Sequence, residues 1–96
     1  MLIVQPEAEA DLREARAWYE QQRSGLGDEF LAEIDRVFSM IEARPDGYAV
    51  IHRTARKASA RRFPYIVLYV ARDDDVFVLG VFHHRRNPKL VMDRIT

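Results

Sequence analysis

The stretch FPYIVLYVARDDDVFVLGVF, residues 63–82, decides the fold. Phe63 to Ala71 and Val76 to Phe82 are dense in β-branched and aromatic residues, which fit a pleated, half-buried surface. Between them Arg72-Asp73-Asp74-Asp75 supplies a polar turn, so the stretch reads as two antiparallel strands joined by a hairpin. The three adjacent acids lack the loop length of a calcium motif and read as a solvated turn.

Upstream of this hairpin, Lys57 to Arg62 reads as a weaker strand. Before that, Pro45-Asp46-Gly47 ends a helical unit. Its second helix runs from about Asp28 to Ala43, with Phe30, Ile34, Val37, Phe38 and Ile41 on one apolar face. The first helix opens at Pro6, whose missing N–H costs nothing in a first turn, and Glu7, Glu9 and Asp11 suit the positive end of its dipole. Ala8, Leu12, Ala15 and Tyr19 follow one helical face, and Trp18 beside Tyr19 is expected to pack with them. Ser24, Gly25 and Gly27 break that helix, which makes the pair an antiparallel helical hairpin. Met1 to Val4 is a short strand at the start; downstream, Asn87-Pro88 stops the last strand and opens a short helix through Arg94. The expected class is α+β: an N-terminal strand, then an α-helical hairpin packed on a small antiparallel β-sheet, as a single domain over residues 1–96.

Composition narrows the function classes. A chain of 96 residues is too short for two independent cores. Cysteine is absent, which removes disulfides, thiolate zinc sites and a cysteine nucleophile together, and fits a reducing cytoplasm. The start, MLIVQPEAEADL, has a short apolar run and then acids, so neither a signal peptide nor a membrane span is expected. The zero net charge is unevenly distributed. Residues 1–46 hold eleven Asp/Glu against five Lys/Arg, and residues 47–96 hold four against ten. Such a split suggests one electropositive side, suited to nucleic acid, phosphate or an acidic partner. A pI of about 6.8 argues against a general DNA binder.

Two clusters could carry chemistry. The first is His52, Arg53, Arg56, Lys57, Arg61 and Arg62, a window without an acid. If its second half is a strand, Lys57, Ser59 and Arg61 face one side. These cations either bind phosphate or protect an edge strand from aggregation by charge. The second is His83-His84-Arg85-Arg86-Asn87-Pro88, at the exit of the most hydrophobic strand. Histidine works as an acid or base near neutrality and arginine stabilises phosphate charge, while the polar end of an ordinary strand has the same composition. No histidine or carboxylate set has the spacing of metal ligands, so neither a metal nor another cofactor is expected.

Arg56-Lys57, Arg61-Arg62-Phe63-Pro64-Tyr65, the apolar strand, the acidic turn, Val76–Val81 and His83-x-x-Arg86-x-Pro88 together resemble the RelE/ParE toxin superfamily. Pro6-Glu7-Ala8-Glu9-x-Asp11-Leu12, Trp18-Tyr19, Gly25-Leu26-Gly27 and Phe30 are similar to its ParE-like, plasmid-stabilisation branch. The resemblance covers nearly the whole chain in order. Where the family often carries a tryptophan a few residues after the proline, this chain has Val91-Met92.

The resemblance implies the toxin of a type II toxin–antitoxin pair, working in the cytoplasm and neutralised by a cognate antitoxin protein. RelE-like members are ribosome-dependent mRNA endonucleases and commonly place a catalytic tyrosine near the C-terminus. This chain has no tyrosine after Tyr69. As a nuclease it would rely on His83, Arg86 and Arg61, with the ribosome and mRNA as partners. ParE-like members instead bind DNA gyrase and trap it on cleaved DNA, which needs no catalytic residue. That is the preferred reading, with Arg56, Lys57, Arg61, Arg62, His83 and Arg86 as candidates for target binding. A non-toxic binding module on the same scaffold is the remaining alternative.

Overall fold

In the computed structural model, which describes residues 1–96, the 63–82 hairpin becomes β4 (Tyr65–Arg72) and β5 (Asp75–His83). They pair antiparallel from Arg72↔Asp75 to Tyr65↔His83. Asp73 turns the corner at φ 57°, a left-handed conformation that a short polar side chain tolerates. The other elements are β1 (Leu2–Val4), α1 (Pro6–Gln22), α2 (Leu26–Ala43), β2 (Val50–His52), β3 (Ala55–Ser59) and α3 (Pro88–Ile95). The sheet order is β1-β5-β4-β3-β2. No helix is long and apolar enough to cross a membrane.

Three details differ from the sequence reading. β1 joins the sheet parallel to β5, beside an otherwise antiparallel sheet, with Val76 N–H donating to Met1 C=O and Gln5 N–H to Val78 C=O. A three-residue strand with no adjoining hairpin turn carries no local signal for partner or direction. An additional strand, β2, pairs with β3 through a tight turn at Arg53, whose φ of 54° no glycine or asparagine announces. Finally, β3 ends at Ser59, so Arg61 and Arg62 lie outside the strand expected over 57–62. The Arg61 amide donates to the Glu33 carboxylate at 2.7 Å instead of to a neighbouring strand, and Pro64 has no amide to offer.

The helical hairpin closes on its glycines. Gly25 sits at φ 88° before α2. A Cβ on Gly27 would lie 2.8 Å from the Arg16 carbonyl oxygen, so only glycine lets the helices cross this closely. The Glu20 carboxylate accepts the Gly25 and Gly27 amides at 2.9 and 3.0 Å, satisfying donors that the start of a helix leaves open.

Each sheet face carries its own core. Against the hairpin, Ala8, Ala15, Tyr19, Phe30, Ile34, Val37 and Ile41 pack on Ala58, Val67, Tyr69, Val76, Val78 and Val81. On the opposite face, α3 lays Val91 over Ile66, Leu68 and Phe82. Asn87 caps α3 by accepting the Lys89 amide at 2.9 Å, with Pro88 in the first turn.

One ion pair ties these layers together. Arg94 of α3 meets Asp11 of α1 at 2.8 and 3.2 Å, lies over the Phe82 ring at 4.7 Å and donates to Leu79 C=O at 3.0 Å. Asp11 also accepts the Val81 amide at 3.0 Å. Beyond β1, the outer edge of β5 therefore has its backbone groups met by a side-chain pair. Gly80 makes this possible, because a Cβ there would stand 2.4 Å from Phe82 and 3.1 Å from Arg94.

Candidate functional site

A cleft of about 490 Å³ opens between α1 and the far end of the β4–β5 hairpin. Asp11, Glu14, Ala15 and Trp18 line one bank, spaced so that one helical face presents them all. Pro64, Tyr65, Val81, His83 and Arg86 form the other bank, and Tyr19 contributes to the floor. The volume falls within the ordinary range of ligand and partner pockets.

Aromatic packing fixes the floor. Tyr19, Phe30, Phe63 and Tyr65 form one cluster, with centroid separations of 5.2 Å for Tyr19–Phe30, 4.9 Å for Tyr19–Phe63 and 5.0 Å for Phe30–Tyr65. Tyr65 meets His83, its partner in the strand register, edge-on at 5.5 Å. Burial raises the Tyr65 phenol above its usual pKa, reinforced by Tyr19, while Arg86 pulls the other way. Trp18 departs from the packing role expected of it: it touches Tyr19 edge-on at 5.1 Å, yet 56% of its surface remains exposed.

His83 has a defined hydrogen-bond state. Its Nδ1 accepts the Arg85 amide at 3.1 Å, so the neutral ring carries its proton on Nε2. Loss of hydration lowers its pKa, with His84 and Arg85 adding repulsion of a further positive charge. His84 stacks on it at 4.8 Å and is itself held at the Pro64 carbonyl, to which its amide donates at 2.8 Å.

The two basic clusters have different surroundings. Only His83 and Arg86 share the cleft. Arg61 and Arg62 border a second, shallower hollow on the other side of Pro64 and Tyr65, together with His84. Arg62 pairs with Glu29 and lies 5.2 Å over the Phe63 ring. Arg56 donates to the Asp46 and Tyr48 carbonyls and so fixes the loop after α2. Lys57 is exposed on β3, opposite Leu68 in register. Glu33, buried to 9% exposure, accepts two bonds from Arg36 at 2.8 Å besides the Arg61 amide. These donors, Arg36 foremost, hold its pKa at about 2. No three His, Asp or Glu side chains converge in a way that would hold a metal ion. The sequence reading missed Glu14, Trp18 and Tyr65 as site residues, although the i, i+4 spacing of Glu14 and Trp18 already places them on one helical face.

A family model described as the ParE toxin of the type II toxin–antitoxin system, parDE, matches residues 2–88. Among solved structures, a chain from a chromosomal ParDE toxin–antitoxin system of P. aeruginosa superposes with a TM-score of 0.77 at 14% identity. The match covers 85% of this chain and 92% of that one, a likeness of fold. A sequence search of curated proteins finds no match. With the helical hairpin, the mixed sheet and a family match spanning nearly every residue, the chain belongs to the ParE toxin family of type II toxin–antitoxin systems.

Proposed function

We propose that this toxin acts in the cytoplasm by gripping a protein target, DNA gyrase, and not by cleaving RNA. The distribution of the basic side chains carries this reading. Cleavage of an RNA backbone needs a base, an acid and charge stabilisation around one phosphate. Here His83 and Arg86 face one cleft while Arg61 borders another, and Arg56 and Arg62 are held by partners within the fold. A protein-binding poison requires no such convergence, only an anchoring surface of aromatic and arginine side chains. The antitoxin of the pair neutralises the toxin, and together they would stabilise a plasmid that encodes them.

Purified toxin is expected to inhibit supercoiling by the gyrase of its source cell and to leave linearised plasmid after protein digestion. Intact supercoiling, together with codon-positioned mRNA cuts that appear only when ribosomes are added, would overturn the proposal in favour of ribosome-dependent cleavage.

A further inference from the structure

The second hollow, across Pro64 and Tyr65 from the cleft, gathers polar groups that the fold does not use. It measures about 440 Å³, and Ser59, Arg61, Arg62 and His84 line it without a single Asp or Glu. The Arg61 side chain is exposed and enters none of the molecule's ion pairs, since Glu33 is met by its backbone amide instead. Arg62 is engaged with Glu29, so its charge is already offset. His84 Nδ1 stands 3.2 Å from the Pro64 carbonyl oxygen, which can only accept, so Nδ1 carries a proton and Nε2 makes no hydrogen bond within the protein. Lys57 and Ser59 are exposed two residues apart on β3, hence on one face of that strand, and Lys57 also stands outside the ion pairs. The strand therefore leads a second unpaired cation to the mouth of the hollow.

We infer that this hollow is a phosphate-binding site, and that its ligand is a backbone phosphate of DNA. The Arg61 guanidinium matches two phosphate oxygens at once, and the Ser59 hydroxyl is a neutral donor beside it. His84, with a second proton at Nε2, supplies a third donor. Lys57, about 7 Å along β3 from Ser59, is placed for a neighbouring phosphate of the same strand. The shape of the hollow selects a polymer over a small molecule. It is shallow, whereas small ligands bind where most of their surface is enclosed; a strand held at successive phosphates needs no enclosure. So few cations hold bare DNA weakly, in keeping with the zero net charge of the chain. The contact therefore works beside a stronger one, the toxin's grip on gyrase, where cleaved DNA lies within reach. The choice of DNA as the strand rests on that gyrase reading, while the phosphate chemistry of the hollow does not.

The test follows the Arg61 Nε–H and His84 ring signals of the full-length toxin by NMR, which reads weak binding, as a short single-stranded DNA oligomer is added. Both signals are expected to move. A methylphosphonate oligomer of the same sequence, which lacks the backbone charges, should leave them in place. Arg61→Gln and Lys57→Gln should each weaken DNA binding about threefold and reduce the slope of log affinity against log salt by about 0.7. Neither side chain belongs to an ion pair, so both variants should keep the wild-type melting temperature. Signals that stay in place, or that move equally with the methylphosphonate oligomer, overturn the inference. So does an Arg61→Gln toxin that binds DNA as the wild type does, or an RNA oligomer of the same sequence bound more than tenfold tighter, which would assign the hollow to RNA. Supercoiling is assayed separately, so the two readings fail differently. DNA binding without gyrase inhibition removes the gyrase reading and leaves the phosphate site, whereas gyrase poisoning with unmoved Arg61 and His84 signals does the reverse.

Discussion

Two basic clusters that look alike as sequence have opposite relations to the fold. Around Arg56 to Arg62, the charges of Arg56 and Arg62 are built into the structure, while Lys57 and the Arg61 guanidinium form no ion pair. Arg56 holds two loop carbonyls, Arg62 is paired with Glu29, and the Arg61 amide is clamped by Glu33. Around His83 to Arg86 charge is idle: Arg86 has no carboxylate partner, and His83 presents its free N–H to an open cleft. A run of cations is thus not evidence of a binding surface until its acidic neighbours in space are known. Here those neighbours come from α2 and pair with the first cluster, whereas Asp11 and Glu14 of α1 share the cleft with the second without pairing with Arg86.

The contrast can be broken most forcefully at Glu33. Replacing it with alanine strands the Arg61 amide and frees Arg36, and should lower unfolding free energy by about 2–3 kcal/mol in urea titration. Its pH signature follows from the depressed pKa. A carboxylate held at about 2 when folded contributes stability that is complete above the ordinary carboxylate range near 4.5 and is lost as pH falls toward 2. The melting temperature of the wild type should therefore drop between pH 5 and pH 2, and Glu33→Gln should flatten that part of the curve. An unchanged profile in Glu33→Gln would show that the first cluster is not held through this clamp.

Arg56→Ala should cost about 1 kcal/mol by the same titration, since it releases two loop carbonyls that water can then solvate. Smaller still are the effects expected across the cleft. Arg86→Ala should leave stability within about 0.5 kcal/mol while weakening partner binding. A loss comparable to that of Glu33→Ala would erase the distinction between the two clusters. The faintest signal belongs to His83. Its lowered pKa means that the unfolded chain takes up the proton first, so a small part of stability should disappear as pH falls below about 6.5. His83→Gln should remove that shallow slope.

The fold was legible wherever the sequence carried a local rule. The β-branched run from Phe63, the apolar face from Phe30 to Ile41 and the Gly25–Gly27 break each specify their element through contacts with near neighbours. β2 and the parallel seat of β1 were not legible, because one ends at an arginine in a left-handed turn and the other depends on a strand at the far end of the chain. The same division holds at the cleft. His83 and Arg86 could be named from their place at the end of a hydrophobic strand. Glu14 and Trp18 could not, because only the Asp11–Arg94 tie and the packing of Tyr19 turn that helical face toward β5. The two residues closing the tie are 83 positions apart.

That separation has a consequence in time. The α1–α2 hairpin joins residues close in sequence and can close early, whereas pairing of β1 with β5 and of Asp11 with Arg94 waits for the most distant parts of the chain to meet. The cleft takes one bank from each side of that last closure. The cleft is therefore complete only once α1 has docked against β5.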